Sequence, residues 1–155
     1  RLAKDKALAV ASRHKIDGYW AVLTADTIVI SGKTVLEKPR EPEDAVRMLK
    51  KLSGKTHEVI TAWCWTGAIG KRKKTVTGFC RTKVTFERNS SDFWRWYVTT
   101  GEPMDKAGAY AAQGVGMSFI KKVNGSYSNV VGLPLSDVLE SFRKTFGKDL
   151  RHVTR

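Results

Sequence analysis

Six polar side chains stand out because their neighbours are small or apolar: Lys6, Asp26, Lys38, Asp105, Lys106 and Gln113. Together they could carry metal-assisted phosphate chemistry. Lysines would balance phosphate charge, a carboxylate would hold Mg²⁺ or polarise a water, and an amide would read a base edge. Each also has a plainer reading. Lys6 falls inside the apolar arc of a helix, where a lysine commonly snorkels to water. Asp26 interrupts an apolar, β-branched run, "YWAVLTADTIVI", in which a carboxylate is costly unless paired, solvated or bound to a cation. A bend with Asp26 hydrogen-bonded to backbone weighs equally with a functional acid. Asp105 and Lys106 could simply pair with each other. The sequence holds no Walker loop, Rossmann fingerprint or paired-histidine metal motif, and His14, His57 and His152 are scattered.

The elements that must position these groups follow from periodicity. Residues 2–13 read as a helix with Ala3, Ala7, Val10 and Ala11 on one face. Residues 19–30 read as a buried strand, followed by a turn at Ser31-Gly32 and a short returning strand that ends at Pro39. Residues 42–52 are the clearest helix: Pro42, Glu43 and Asp44 suit its start, Lys50 and Lys51 its end, Gly54 its stop, and Ala45, Met48, Leu49 and Leu52 form one apolar stripe. Stretches 56–66 and 75–86 read as a long antiparallel hairpin joined by a glycine- and lysine-rich link at 67–74. Asn89, Ser90 or Ser91 could cap a short helix whose Phe93, Trp94 and Tyr97 belong in a core. In "GEPMDKAGAYAAQG" the small residues let backbone approach another strand or a ligand. Asn124-Gly125 predicts a second hairpin. Leu135, Val138, Leu139, Phe142 and Phe146 mark a last helix, stopped by Gly147. The expected fold is mixed α/β around a largely antiparallel sheet.

At 155 residues, 41% of them hydrophobic, with five tryptophans, the chain predicts one folded domain over 1–155. No apolar run approaches the ~20 residues of a membrane span and no signal-peptide pattern is visible, so a cytoplasmic protein is expected. Cys64 and Cys80 lack metal-ligand spacing and are read as reduced. The net charge of +13 attracts polyanions, from nucleic acid to a phosphate-bearing small molecule. Its densest parts, Lys71 to Lys74 and the basic tail, are read first as a solvated loop and a frayed end. The sequence opens at Arg1 without a methionine, already inside a helical pattern.

Several motifs carry a resemblance. "RLAKDKALAVA", "ADTIVI…EKP", "AVRMLKKLSGKTHEVITAW", "YVTTGEPMDKAGAYAAQG" and "NGSYSNVVGLPL" occur in the order found in the Maf family of nucleoside triphosphate pyrophosphatases. The resemblance runs over nearly the whole chain. It implies a fold similar to inosine triphosphate pyrophosphatases, an α/β molecule with two lobes around a cleft. It also implies cleavage between the α and β phosphates with a divalent metal, Mg²⁺ or Mn²⁺. Carried over by motif, Asp26 of "ADT" is the proton acceptor and a metal contact is open to it. Lys6 and Lys38 are phosphate contacts, and Thr27 and Gln113 bear on substrate choice. "DKAGAY" followed by glutamine resembles members acting on dTTP and UTP, and not those taking 7-methyl-GTP.

Three departures are visible. The family's first strand and Ser-Pro-Arg-Arg loop are missing, which predicts a weakly active or inactive fragment. Glu37 stands where many relatives have glycine, and Ala111-Ala112 replaces a more usual Gly-Ile. Competing readings are a purine-directed house-cleaning enzyme, a protein of septum or cell-cycle control, and a basic nucleic-acid-binding module. The last predicts metal-independent, steeply salt-sensitive binding, but no RNA-binding motif supports it. A nucleotide is the expected partner, a membrane is not, and a homodimer is compatible with the family.

Overall fold

Five segments rich in β-branched and aromatic residues form one sheet in the computed structural model, which describes residues 2–13, 20–69 and 72–147. The strands are β1 (Trp20–Ser31), β2 (Thr34–Leu36), β3 (Thr56–Ile69), β4 (Arg72–Phe86) and β5 (Ile120–Asn124), in the order β2-β1-β3-β4-β5. β1 pairs antiparallel with β2, and β4 with β5. At Gly67, near the end of β3, an added Cβ would run into backbone at Trp20 and Ala21, where β1 begins. The start of β1 beside the end of β3 makes that pairing antiparallel as well. Helices α1 (Leu2–Arg13), α2 (Pro42–Leu52), α3 (Ser91–Thr99), α4 (Tyr127–Val131) and α5 (Leu135–Phe146) complete the described chain, with 3₁₀ turns at Ala107–Ala109 and Gly114–Phe119. The result is a mixed α/β fold with an antiparallel sheet.

The contacts divide the chain into two compact units, each with its own core. The first comprises Arg1–Asp26, Thr61–Cys80 and Gly132–Arg155. Here Trp63 and Trp65 of β3 pack against Val138, Phe142 and Phe146 of α5. The Trp65 indole N–H donates to the Val138 carbonyl at 3.0 Å, so this buried ring has both its apolar body and its polar handle satisfied. Ala3 and Ala7 of α1 bury against Cys64.

The second unit comprises Thr27–Ile60 and Arg81–Val131. Its core joins Leu49 and Leu52 of α2, Trp94 and Tyr97 of α3, and Phe86 and Phe119. The apolar stripe predicted for α2 is that helix's buried face, with Met48 half-buried at its margin. Ser90 caps α3 by accepting the Phe93 N–H at 3.2 Å. The predicted aromatics of α3 do enter the core, whereas Trp96 stays half exposed.

Several expectations change. β1 is half-buried along most of its length, with Val29 its one fully buried residue. Val10 is exposed and does not belong to the buried face of α1. β2 stops at Leu36, three residues short of Pro39. The link at 67–74 is largely strand, since β3 continues to Ile69 and β4 begins at Arg72. The basic run therefore decorates strand β4 from Arg72 onward, while Lys71 and the basic tail beyond Gly147 lie outside the described residues.

Asn124-Gly125 does not close a hairpin but turns β5 into helix α4. The Thr82 hydroxyl of β4 accepts the Ser126 N–H at 3.1 Å and an Asn129 amide N–H at 2.8 Å. Buried Asn129 also donates to the Val59 carbonyl at 3.1 Å. These bonds hold the chain to β4 immediately after Gly125, and Ser126 then accepts the Asn129 N–H to start the helix.

Candidate active site

Within the first unit, alternation along β1 puts Thr24 and Asp26 on one face. Both reach α1. The Thr24 hydroxyl donates to the Ala3 carbonyl at 2.5 Å, and Lys6 Nζ donates to Asp26 Oδ1 at 2.6 Å. Lys6 is held near β1 because Ala3 and Ala7, on either side of it, are the residues α1 buries. Asp26 lies inside a continuous strand with a lysine as its partner, not at a bend with a backbone partner. The side chains keep 49% and 28% of their exposure, so this ion pair contributes at most about 1 kcal/mol to stability. Water and a phosphate can still reach both groups. The structure joins the predicted site residues Lys6 and Asp26 directly.

The second unit carries Thr27, Lys38 and Gln113. Thr27 is half-buried and, by strand alternation, faces away from the side of Asp26. Lys38 is exposed just beyond β2. Beside it the small-residue stretch crosses: the Gly108 N–H donates to the Glu37 carbonyl at 3.0 Å. Gly108 has φ +73°, and a Cβ there would lie 3.0 Å from three Val29 side-chain atoms. At this residue, then, the small side chain serves a tight crossing. Lys106 donates to both Asp105 oxygens, at 2.7 and 2.8 Å, as the self-pairing reading expects. The Lys106 ammonium holds the Asp105 carboxyl below its usual range, with a smaller contribution from Lys38. An open cavity of about 440 Å³ lies here, lined by Glu37, Lys38, Arg40, Glu41, Asp44 and Arg47 among others. Glu37 thus shares a cavity with Lys38.

Gln113 is exposed at the entrance to the second 3₁₀ turn, and no hydrogen bond joins it to Lys38 among the described residues. Its flanks are tightly held. The Ala111 N–H donates to the Tyr97 phenol at 3.2 Å, and the Tyr127 hydroxyl donates to the Ala112 carbonyl at 2.7 Å. Glu102 accepts the N–H groups of Val115 and Gly116. Further back, Tyr110 is buried and its hydroxyl lies 2.9 Å from His57 Nε2. Burial lowers the His57 pKa from the ordinary 6.5 to about 4 and raises that of the Tyr110 phenol. The sequence reading missed His57 and Tyr97 as supports of this loop. The available signal was weak: two polar-tipped rings in otherwise apolar stretches.

Asp26 also bears on metal binding. Among the described residues no three His, Cys, Asp or Glu side chains form a cage that could hold a metal ion. Mg²⁺ in phosphate-processing sites is commonly held by one or two carboxylates together with substrate phosphates. A reachable single carboxylate such as Asp26 fits that donor set.

The Maf family model, described as Maf-like protein, matches residues 1–145. The dTTP/UTP pyrophosphatase of Myxococcus xanthus is 50% identical over 139 residues, covering 90% of this chain and 67% of that protein. The dTTP/UTP pyrophosphatase of Photorhabdus laumondii is 49% identical over 146 residues, covering 94% and 72%. That of Escherichia coli O157:H7 is 47% identical over 140 residues, covering 90% and 68%. No helix among the described residues is long and apolar enough to cross a membrane. With a family match over nearly its whole length, the chain belongs to the Maf-like proteins.

Proposed function

We propose that this protein is a nucleoside triphosphate pyrophosphatase of the dTTP/UTP type, producing a nucleoside monophosphate and pyrophosphate. The Lys6–Asp26 pair carries the reading: a carboxylate and an ammonium, both reachable, in a chain about half identical to dTTP/UTP pyrophosphatases. Asp26 orients the attacking water and accepts its proton as the water approaches the α-phosphorus. Lys6, already at the carboxylate, and Lys38 offset the negative charge that grows on the leaving pyrophosphate. Thr27 and Gln113 select the base. A divalent cation held by Asp26 and the triphosphate would supply further charge neutralisation. The same reading places 1–155 in one cytoplasmic Maf-like domain related in fold to inosine triphosphate pyrophosphatases.

The test is pyrophosphate release from dTTP, UTP, CTP, GTP, 7-methyl-GTP and ITP with Mg²⁺ or Mn²⁺. dTTP and UTP are expected to lead. Asp26→Asn should lose about 100-fold or more in turnover, the scale of general-base catalysis, while keeping its circular dichroism and melting temperature. Silence toward every nucleotide of both this chain and a version extended to a family-like N-terminus, or an Asp26→Asn variant at full activity, overturns the reading.

A further inference from the structure

We infer that Glu102, acting with Tyr97, is the positioning residue that fixes Gln113 for base selection, an inference that rests on the pyrophosphatase reading. The Glu102 carboxylate takes three donors. Oε1 accepts the Tyr97 hydroxyl at 2.7 Å and the Gly116 N–H at 2.8 Å, and Oε2 accepts the Val115 N–H at 2.9 Å. The Tyr97 oxygen accepts the Ala111 N–H on the other side of Gln113. One carboxylate and one phenol therefore tie down the backbone both before and after an exposed glutamine. Gly114, at φ +65°, belongs to the same device, because a Cβ there would lie 2.5 Å from Glu102 Oε2. Tyr97 is fully buried in the core, so the clamp is anchored to packed side chains and not to the loop itself.

This arrangement matters because Gln113 is exposed and displays both a donor and an acceptor. Such an amide discriminates between pyrimidine edges only if its backbone is held to a fraction of an ångström. Glutamine at 102 has nearly the same size, but its amide NH₂ would replace one acceptor and face a backbone N–H or the Tyr97 hydroxyl. Phenylalanine at 97 keeps the buried ring and deletes only the bridging hydroxyl.

The experiment uses the wild-type chain, Glu102→Gln and Tyr97→Phe. Amide hydrogen exchange at residues 111–116 reads the clamp without reference to catalysis, and kcat and KM for dTTP, UTP and CTP read selection. The variants should lose protection at Val115 and Gly116 in Glu102→Gln, and at Ala111 in Tyr97→Phe. Their preference for dTTP over CTP should narrow by about tenfold, the weight of one base hydrogen bond, mainly through KM. Unchanged exchange in both variants overturns the clamp. Faster exchange with an unchanged preference, or an equal loss on every substrate that follows a fall in melting temperature, overturns the role in selection. If the wild-type chain turns over no nucleotide even when extended to a family-like N-terminus, the pyrophosphatase reading and the selection role both fall. Exchange at 115 and 116 would still show separately whether the clamp exists.

Discussion

Asp26 and His57 show how differently two ionisable side chains in strands can be used. Asp26 meets Lys6 where both remain partly solvated, so the pair adds little stability and stays open to a substrate. His57 is 2% exposed, packs edge-on against Phe86 and Tyr110, and is kept neutral by burial. Its folded pKa of about 4 lies below the ordinary 6.5, so on acidification the unfolded chain takes up a proton first. The histidine's contribution is complete above about pH 6.5 and is lost as the pH falls toward 4, a loss on the order of 3 kcal/mol. Urea unfolding across that range should show stability falling with acid, and His57→Gln should flatten the slope. An unchanged slope would mean that His57 is not the group responsible. The sequence marked Asp26 because an acid in an apolar strand is conspicuous. It could not mark His57, whose partner Tyr110 lies 53 residues away.

At the scale of elements, local chemistry was a good guide where a segment closes its own interactions. The bounds of α2 came from its proline, its acidic first turn and its stripe, and those features recur in the structure. α5 likewise ends at Gly147 with φ +65°. Its three buried residues hold the core of the first unit, with Phe142 4.9 Å from the Trp65 ring centroid. Phe142→Ala should therefore cost about 3–5 kcal/mol in equilibrium unfolding. A loss below about 1 kcal/mol would indicate that β3 and α5 do not share a core of that quality. Local signals failed where a distant group intervened. Asn124-Gly125 has strong hairpin chemistry, but Thr82 and Asn129 redirect the chain into a helix. The lysines of the link looked like loop residues, yet β3 runs on to Ile69 and β4 starts at Arg72, past the predicted ends at 66 and 75, where the Thr66 and Thr75 hydroxyls bond at 2.9 Å. Lys74 finds a partner in the Thr145 carbonyl at 2.7 Å.

For the whole molecule, a net charge of +13 must act on any anionic substrate. Between about 20 and 300 mM salt the Debye length shrinks severalfold, so KM for dTTP should rise while kcat holds. A KM indifferent to salt would show that the basic excess does not steer nucleotide binding. The sequence by itself determined what depends on residue type and near neighbours: the bounds and buried faces of α2 and α5, the ordered motifs that identify the family, and the choice of an acid and lysines as candidates. Only the tertiary structure decided which groups meet: Lys6 with Asp26, Gly108 with Val29, and Tyr97 and Glu102 on either side of Gln113. The reason is physical. Propensity and capping act over a few residues, whereas a buried polar group takes whatever donor or acceptor packing brings within about 3 Å, however far away in the chain.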